Sequence, residues 1–136
     1  MIKTSTKEKG FTLMELLIAL VIIIILAVIV IIPINPAQRI LEARNNQREV
    51  DINAVYGALR QYNSQRGEFP ECADEGEEVD LEECESELVP GYLGTLPEDP
   101  SGDVAGTGYL IKVSGDQIGV KAEHAEGDRE ITAGEW

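Results

Sequence analysis

The chain is poor in the residues that build most active sites. Of its 136 residues, one is histidine, two are cysteine and one is tryptophan. With His124 as the lone imidazole, no Ser/His/Asp constellation is legible, and no glycine-rich loop has the spacing that cradles phosphate. Cys72 and Cys84 fit neither a C-x-x-C redox pair nor a four-ligand zinc site. Basic residues are scarce as well: 11 Lys and Arg stand against 25 Asp and Glu, for a net charge of −14 and a pI near 4.3. Nucleic-acid partners need clustered Lys and Arg, and the one dense charge cluster here is negative. The carboxylates could supply an acid/base pair, but nothing marks a pocket. The expectation is a chain that is not an enzyme and holds no cofactor, no metal and no nucleic acid.

What the chain does have is segregated. Every residue from Leu16 to Ile32 is Leu, Ile, Val or Ala, and the remainder of the chain is mostly polar and acidic. One part suits lipid and the other suits water. Ahead of the apolar run lies a short hydrophilic leader with Lys3, Lys7 and Lys9, a charge bias that keeps this end on the cytoplasmic side. As a helix, Phe11 to Ile32 would extend about 33 Å, enough to cross a hydrocarbon core of about 30 Å.

A secretory signal has a shorter apolar region and an A-x-A type cleavage site. Pro33-Ile34-Asn35-Pro36 offers no such site. A plain signal anchor fits the length and the charge bias but leaves Glu15, a carboxylate inside the membrane segment, without a reason. Such residues are costly, rare and usually functional.

The stretch Lys9-Gly10-Phe11-Thr12-Leu13-Met14-Glu15-Leu16-Leu17 resembles the processing site of type IV prepilins and of type II secretion pseudopilins. The resemblance implies cleavage after Gly10 by prepilin peptidase, N-methylation of Phe11, and retention of the apolar helix on the mature protein. It also implies a role in assembly for Glu15. The implied partners are identical or homologous pilin subunits in a filament, the inner-membrane assembly platform and membrane lipid. The implied location is a single-pass membrane precursor with its head outside the cytoplasm, then an extracellular or periplasmic filament. Glu15 falls four residues after Phe11, so a helix there would put the new amine and the carboxylate on one face. The resemblance implies that the pairing runs between subunits; the residues alone also permit a pairing within one chain.

Pro33 and Pro36 interrupt the helix beyond the membrane, since each lacks a backbone donor and crowds the preceding turn. Asn35-Pro36-Ala37-Gln38 reads as a fresh start with an N-cap, Pro at the first helical position and Gln at the third. From Pro36 to about Gln65, Ile52, Val55, Leu59 and Tyr62 form one apolar stripe. Arg39, Arg44, Arg48 and Arg60 serve either solubility or contact with acidic surfaces of neighbouring subunits. Gly67 ends the helix, and Phe69-Pro70 begins extended structure.

Between Glu68 and Glu87 stand eleven carboxylates and no basic residue, which reads as a solvated, self-repelling loop. A calcium site is the sharper alternative, but Asp74 to Asp80 does not fit the D-x-[DN]-x-[DN]-G pattern. If the head is exported, Cys72 and Cys84 form one disulfide, worth about 3 kcal/mol for so short a loop; the alternative is two free thiols. Val89 to Pro100 is rich in turn residues. Tyr109 to Val113 and Gln117 to Ala122 read as strands about the turn Ser114-Gly115-Asp116, with Glu130 to Thr132 a short third strand. Trp136 is either a packing residue or a contact surface.

This order looks like the α+β pilin fold, a long N-terminal helix packed on a small antiparallel sheet. Tyr62 to Pro70 and Leu96-Pro97-Glu98-Asp99-Pro100 are similar to segments of major pseudopilins, a group that generally lacks a disulfide here. Pilus and secretion pseudopilus both stay open. The expected divisions are a leader (1–10), a membrane helix (11–34), its amphipathic continuation (35–66) and a head (67–136). The alternative is a signal-anchored acidic binding module that never polymerises.

Overall fold

The apolar run and the amphipathic stripe give two helices in the computed structural model, which describes residues 10–31 and 35–136. Helix α1 covers Leu13–Ile31 and helix α2 covers Pro36–Arg66. Pro33 and the leader, with Lys3, Lys7 and Lys9, lie outside the described residues. Asn35 is not helical and Pro36 opens α2, where its missing N–H costs nothing. The chain divides into two compact units, Met1–Pro36 and Ala37–Trp136.

In the first unit, the 18-residue span Leu13–Val30 has a mean hydropathy of 3.4 and is long and apolar enough to cross a membrane. Every side chain from Leu13 to Val30 is exposed, the condition of a helix whose apolar surface suits lipid or other helices.

The second unit is a helix laid on a sheet. Strands β1 (Glu78–Asp80), β2 (Tyr109–Ser114), β3 (Gln117–Ala122) and β4 (Thr132–Gly134) pair antiparallel in the order β1-β2-β3-β4. The β2–β3 hairpin pairs Tyr109 with Ala122 and Ser114 with Gln117, so its turn is the two residues Gly115-Asp116 and Ser114 belongs to the strand. Alternation sends Tyr109, Ile111, Val113, Ile118, Val120 and Ala122 inward, where they join Ile52, Val55, Leu59 and Tyr62 of α2 in one buried cluster. Helix α2 stops where Gly67, at φ +80°, donates to the Asn63 carbonyl at 2.7 Å.

Three features differ from the expectations. Phe69-Pro70 leads into a turn at Glu71-Cys72, and no strand forms before Glu78. The last strand begins at Thr132 and not at Glu130, because its partners on β3 are Gly119 to Lys121. The acidic segment is built structure and not a free loop. After β1 come a 3-10 helix at Leu81–Cys84 and a one-turn helix α3 at Glu85–Leu88. Leu81, Cys84 and Leu88 are fully buried, and Cys72 is bonded to Cys84. Glu87 orders the other side, accepting from the Tyr62 hydroxyl at 2.8 Å and from the backbone N–H groups of Glu71 and Cys72.

Candidate functional site

Thr12 sets the start of α1. Its Oγ1 accepts from the Glu15 backbone N–H at 3.2 Å, and its carbonyl accepts from Leu16 N–H at 3.2 Å. This is half of a capping box, with Thr at the cap and Glu three residues on. A helix N-terminus leaves four backbone donors without partners, and lipid supplies none. In lipid, such a cap would matter more than at a helix end in water. Glu15 falls in the first turn, where the helix dipole favours an anion.

Gly10 and Phe11 precede the helix and are exposed. Phe11 is not helical, so α1, which begins at Leu13, does not itself set Phe11 and Glu15 on one face. Among the described residues, the Glu15 carboxylate accepts no hydrogen bond and makes no ion pair.

The predicted head residues come together differently. Cys72 and Cys84 meet beneath the acidic segment, while Arg48, expected on the surface, lies at the centre of the molecule's most buried polar cluster. Its Nε and Nη2 donate to both carboxylate oxygens of Asp99, at 2.7 and 2.8 Å, with both side chains fully buried. Nη1 donates to Asn45 Oδ1 at 2.9 Å and reaches Glu126 at 3.3 Å. Burial alone would raise the Asp99 carboxyl, but the hydrogen bonds from Arg48 and Ser101 outweigh it and hold the group at about 2. The Asp99 hydrogen bonds hold the Arg48 guanidinium above its ordinary value. The cluster pins two connections to α2: the approach to β2 through Asp99, and the β3–β4 connection through Glu126, whose backbone carbonyl and N–H both bond to Asn45.

Nearby, the Tyr109 hydroxyl donates to Asp51 at 2.7 Å; burial, then that carboxylate, push the phenol far up. Arg44 likewise pairs with Glu126 at 3.0 Å, so it is tied into the head too. The missed signal was periodic. Asn45 and Arg48 extend the Ile52-Val55-Leu59-Tyr62 stripe backwards at spacings of three and four, so Arg48 had to face the sheet.

His124 is half-exposed beside Glu123 at 3.6 Å. No group of three or more His, Cys, Asp or Glu is arranged to hold a metal ion among the described residues.

Residues 5–31 match the prokaryotic N-terminal methylation motif, the signature of type IV pilins and pseudopilins. The match covers the leader's end, Gly10-Phe11, Glu15 and the whole of α1, and the head adds an α+β, pilin-like arrangement. Comparison with curated proteins and with solved structures returned no match.

Proposed function

We propose that this chain, which carries the pilin and pseudopilin signature ahead of a disulfide-bonded α+β head, is the precursor of a subunit of a type IV pilus or type II secretion pseudopilus. Prepilin peptidase cuts after Gly10, Phe11 is methylated, and the mature protein assembles through α1 at the inner-membrane platform. Residues 1–10 are the leader, 11–34 the membrane and assembly helix, 35–66 its amphipathic continuation and 67–136 the head outside the cytoplasm. The role is structural, as the signature's family is, and not catalytic.

The observation that carries this reading is Glu15. It is the only charged residue between Phe11 and Ile32, it sits in the first turn of a membrane-length helix, and its carboxylate has no partner among the described residues. A charge at a helix centre in the membrane costs about 3 kcal/mol, less towards the end, so keeping it needs a return. Cleavage after Gly10 creates that return, because the new amine at Phe11 is a cation of matching depth. Phe11 lies ahead of the first helical turn, and a neighbouring copy's Glu15 is the partner that this reading gives its amine after the cut. Pairing the two charges between copies satisfies both and sets the axial stagger of the helices.

Shearing intact cells and pelleting the released material tests this directly. The protein is expected in high-molecular-weight fibres. Recovery only from membranes, in cells with the assembly platform, would favour a signal-anchored module.

A further inference from the structure

The outer face of the sheet carries the head's two lysines and the chain's one tryptophan at a single place. Lys112 (β2) stands opposite Gly119 (β3), which stands opposite Gly134 (β4), and Lys121 lies in the next row. The Trp136 indole rests on Gly119, where a built Cβ would meet the ring at 3.2 Å as well as the Glu135 backbone. Lys112 Nζ lies 5.9 Å and Lys121 Nζ 5.3 Å from the ring centroid, within cation–π reach. Beyond Lys9 these are the only lysines in a chain of net charge −14.

The acidic segment is the opposite in charge. Of the eleven carboxylates from Glu68 to Glu87, Asp80 and Glu87 are used within the head. The remaining side chains accept no hydrogen bond and make no ion pair among the described residues. The segment is also preformed, through the Cys72–Cys84 bond and the buried Leu81 and Leu88, so docking it orders little. The strand order puts β1 of this segment at one edge, with Glu78 directly opposite Lys112 on β2, while the tail that carries Trp136 follows β4 and folds back over Gly119.

We infer that the Lys112–Trp136–Lys121 face docks the acidic Cys72–Cys84 segment of a second copy of this chain. The inference rests on the filament reading above and names a contact between heads within it. Two different, complementary patches on one copy make a heterologous contact, which adds copies in one direction without closing a dimer. It also answers a physical difficulty, since heads of strong like charge repel unless positive groups meet the negative segment. Within one copy, Lys121 has Glu130 at 3.6 Å, both partly exposed; a pair so wet is weak and exchanges readily.

The test is zero-length carbodiimide coupling on sheared filaments grown from a mixture of unlabelled and 15N-labelled copies. Coupled peptides should join Lys112 or Lys121 of one copy to a carboxylate between Glu71 and Glu85 of another, seen as mixed-isotope pairs. In parallel, K112E/K121E should lower fibre yield about tenfold or more, with cysteines still bonded and protein still in the membrane. Adding Glu82→Lys and Glu85→Lys should restore fibres. Coupling only within copies, such as Lys121 to Glu130, or to a different protein, would overturn the contact. So would normal fibres from K112E/K121E, and in either case wild-type fibres leave the filament reading standing. Absence of wild-type fibres would remove both.

Discussion

Arg48 and Asp99 are joined by two parallel hydrogen bonds of 2.7 and 2.8 Å with neither side chain exposed. The pair spans from α2 to the connection that leads into β2, so it holds in place a segment with no regular structure of its own. Removing one partner leaves the other charge buried, and Arg48→Met should cost about 3–5 kcal/mol. Urea unfolding of the detergent-solubilised protein, monitored by the near-ultraviolet signal, measures this. A loss under about 1 kcal/mol would mean that the cluster is not a structural tie.

The same pair makes an acid-sensitive term of definite sign. Asp99 is lowered from 3.8 to about 2 in the folded chain. The unfolded chain therefore binds the proton first as pH falls. Its stabilisation is complete above about pH 4 and is lost as pH drops towards 2, to the extent of about 2 kcal/mol. Unfolding free energies measured from pH 5 to pH 2 should fall, and Asp99→Asn, destabilised throughout, should fall less steeply over the same range.

Much of this head was legible because its signals are local. Ile52, Val55, Leu59 and Tyr62 recur at helical spacing, and Ile118, Val120 and Ala122 alternate about a glycine turn. The acidic segment was not legible, because its composition is that of a solvated loop while its order comes from distant partners. Cys84 reaches Cys72, Glu87 reaches Tyr62, and Leu81 and Leu88 enter a core built by α2 and the sheet. Arg48 was misplaced for a related reason: its type argued for the surface, while its position on the stripe argued for burial. Asp99, fifty-one residues away, decides for burial. At the other end, Gly10, Phe11 and Glu15 were legible as a motif, but the start of α1 at Leu13, after the Thr12 cap, was not.

The disulfide should be what keeps the acidic segment ordered. A Glu-specific protease should leave oxidised protein intact between Glu71 and Glu87 and should cut it there after reduction. Thiol labelling of the non-reduced exported protein should find neither Cys72 nor Cys84 free. Equal cleavage before and after reduction would show that Leu81, Leu88 and Glu87 suffice.

Gly134 closes the sheet against α2. Its φ is +81°, and a built Cβ would run into the Ile118 carbonyl and sit 2.6 Å from the Tyr56 ring. Gly134→Ala thus meets both a strained backbone and a filled space, and should cost about 1–3 kcal/mol. Circular dichroism melts should show the loss. An unchanged melt would mean that β4 detaches without consequence.

Replacing Glu15 by Leu should separate insertion from assembly. A charge is removed from the apolar segment, so the protein should still insert, and the cut site itself is untouched. Fibres should nevertheless be lost or slow to form, because the Phe11 amine enters the helix bundle without its partner. Membrane fractionation beside fibre counting reads the two steps separately. Normal fibres from the variant would show that the glutamate is dispensable.

The most direct measurement is the intact mass of the protein recovered from membranes or sheared fibres in cells that contain prepilin peptidase. The account predicts a chain that begins at Phe11 with one added methyl on its amine and two hydrogens fewer for the Cys72–Cys84 bond. A chain that keeps Met1 to Gly10 would contradict it.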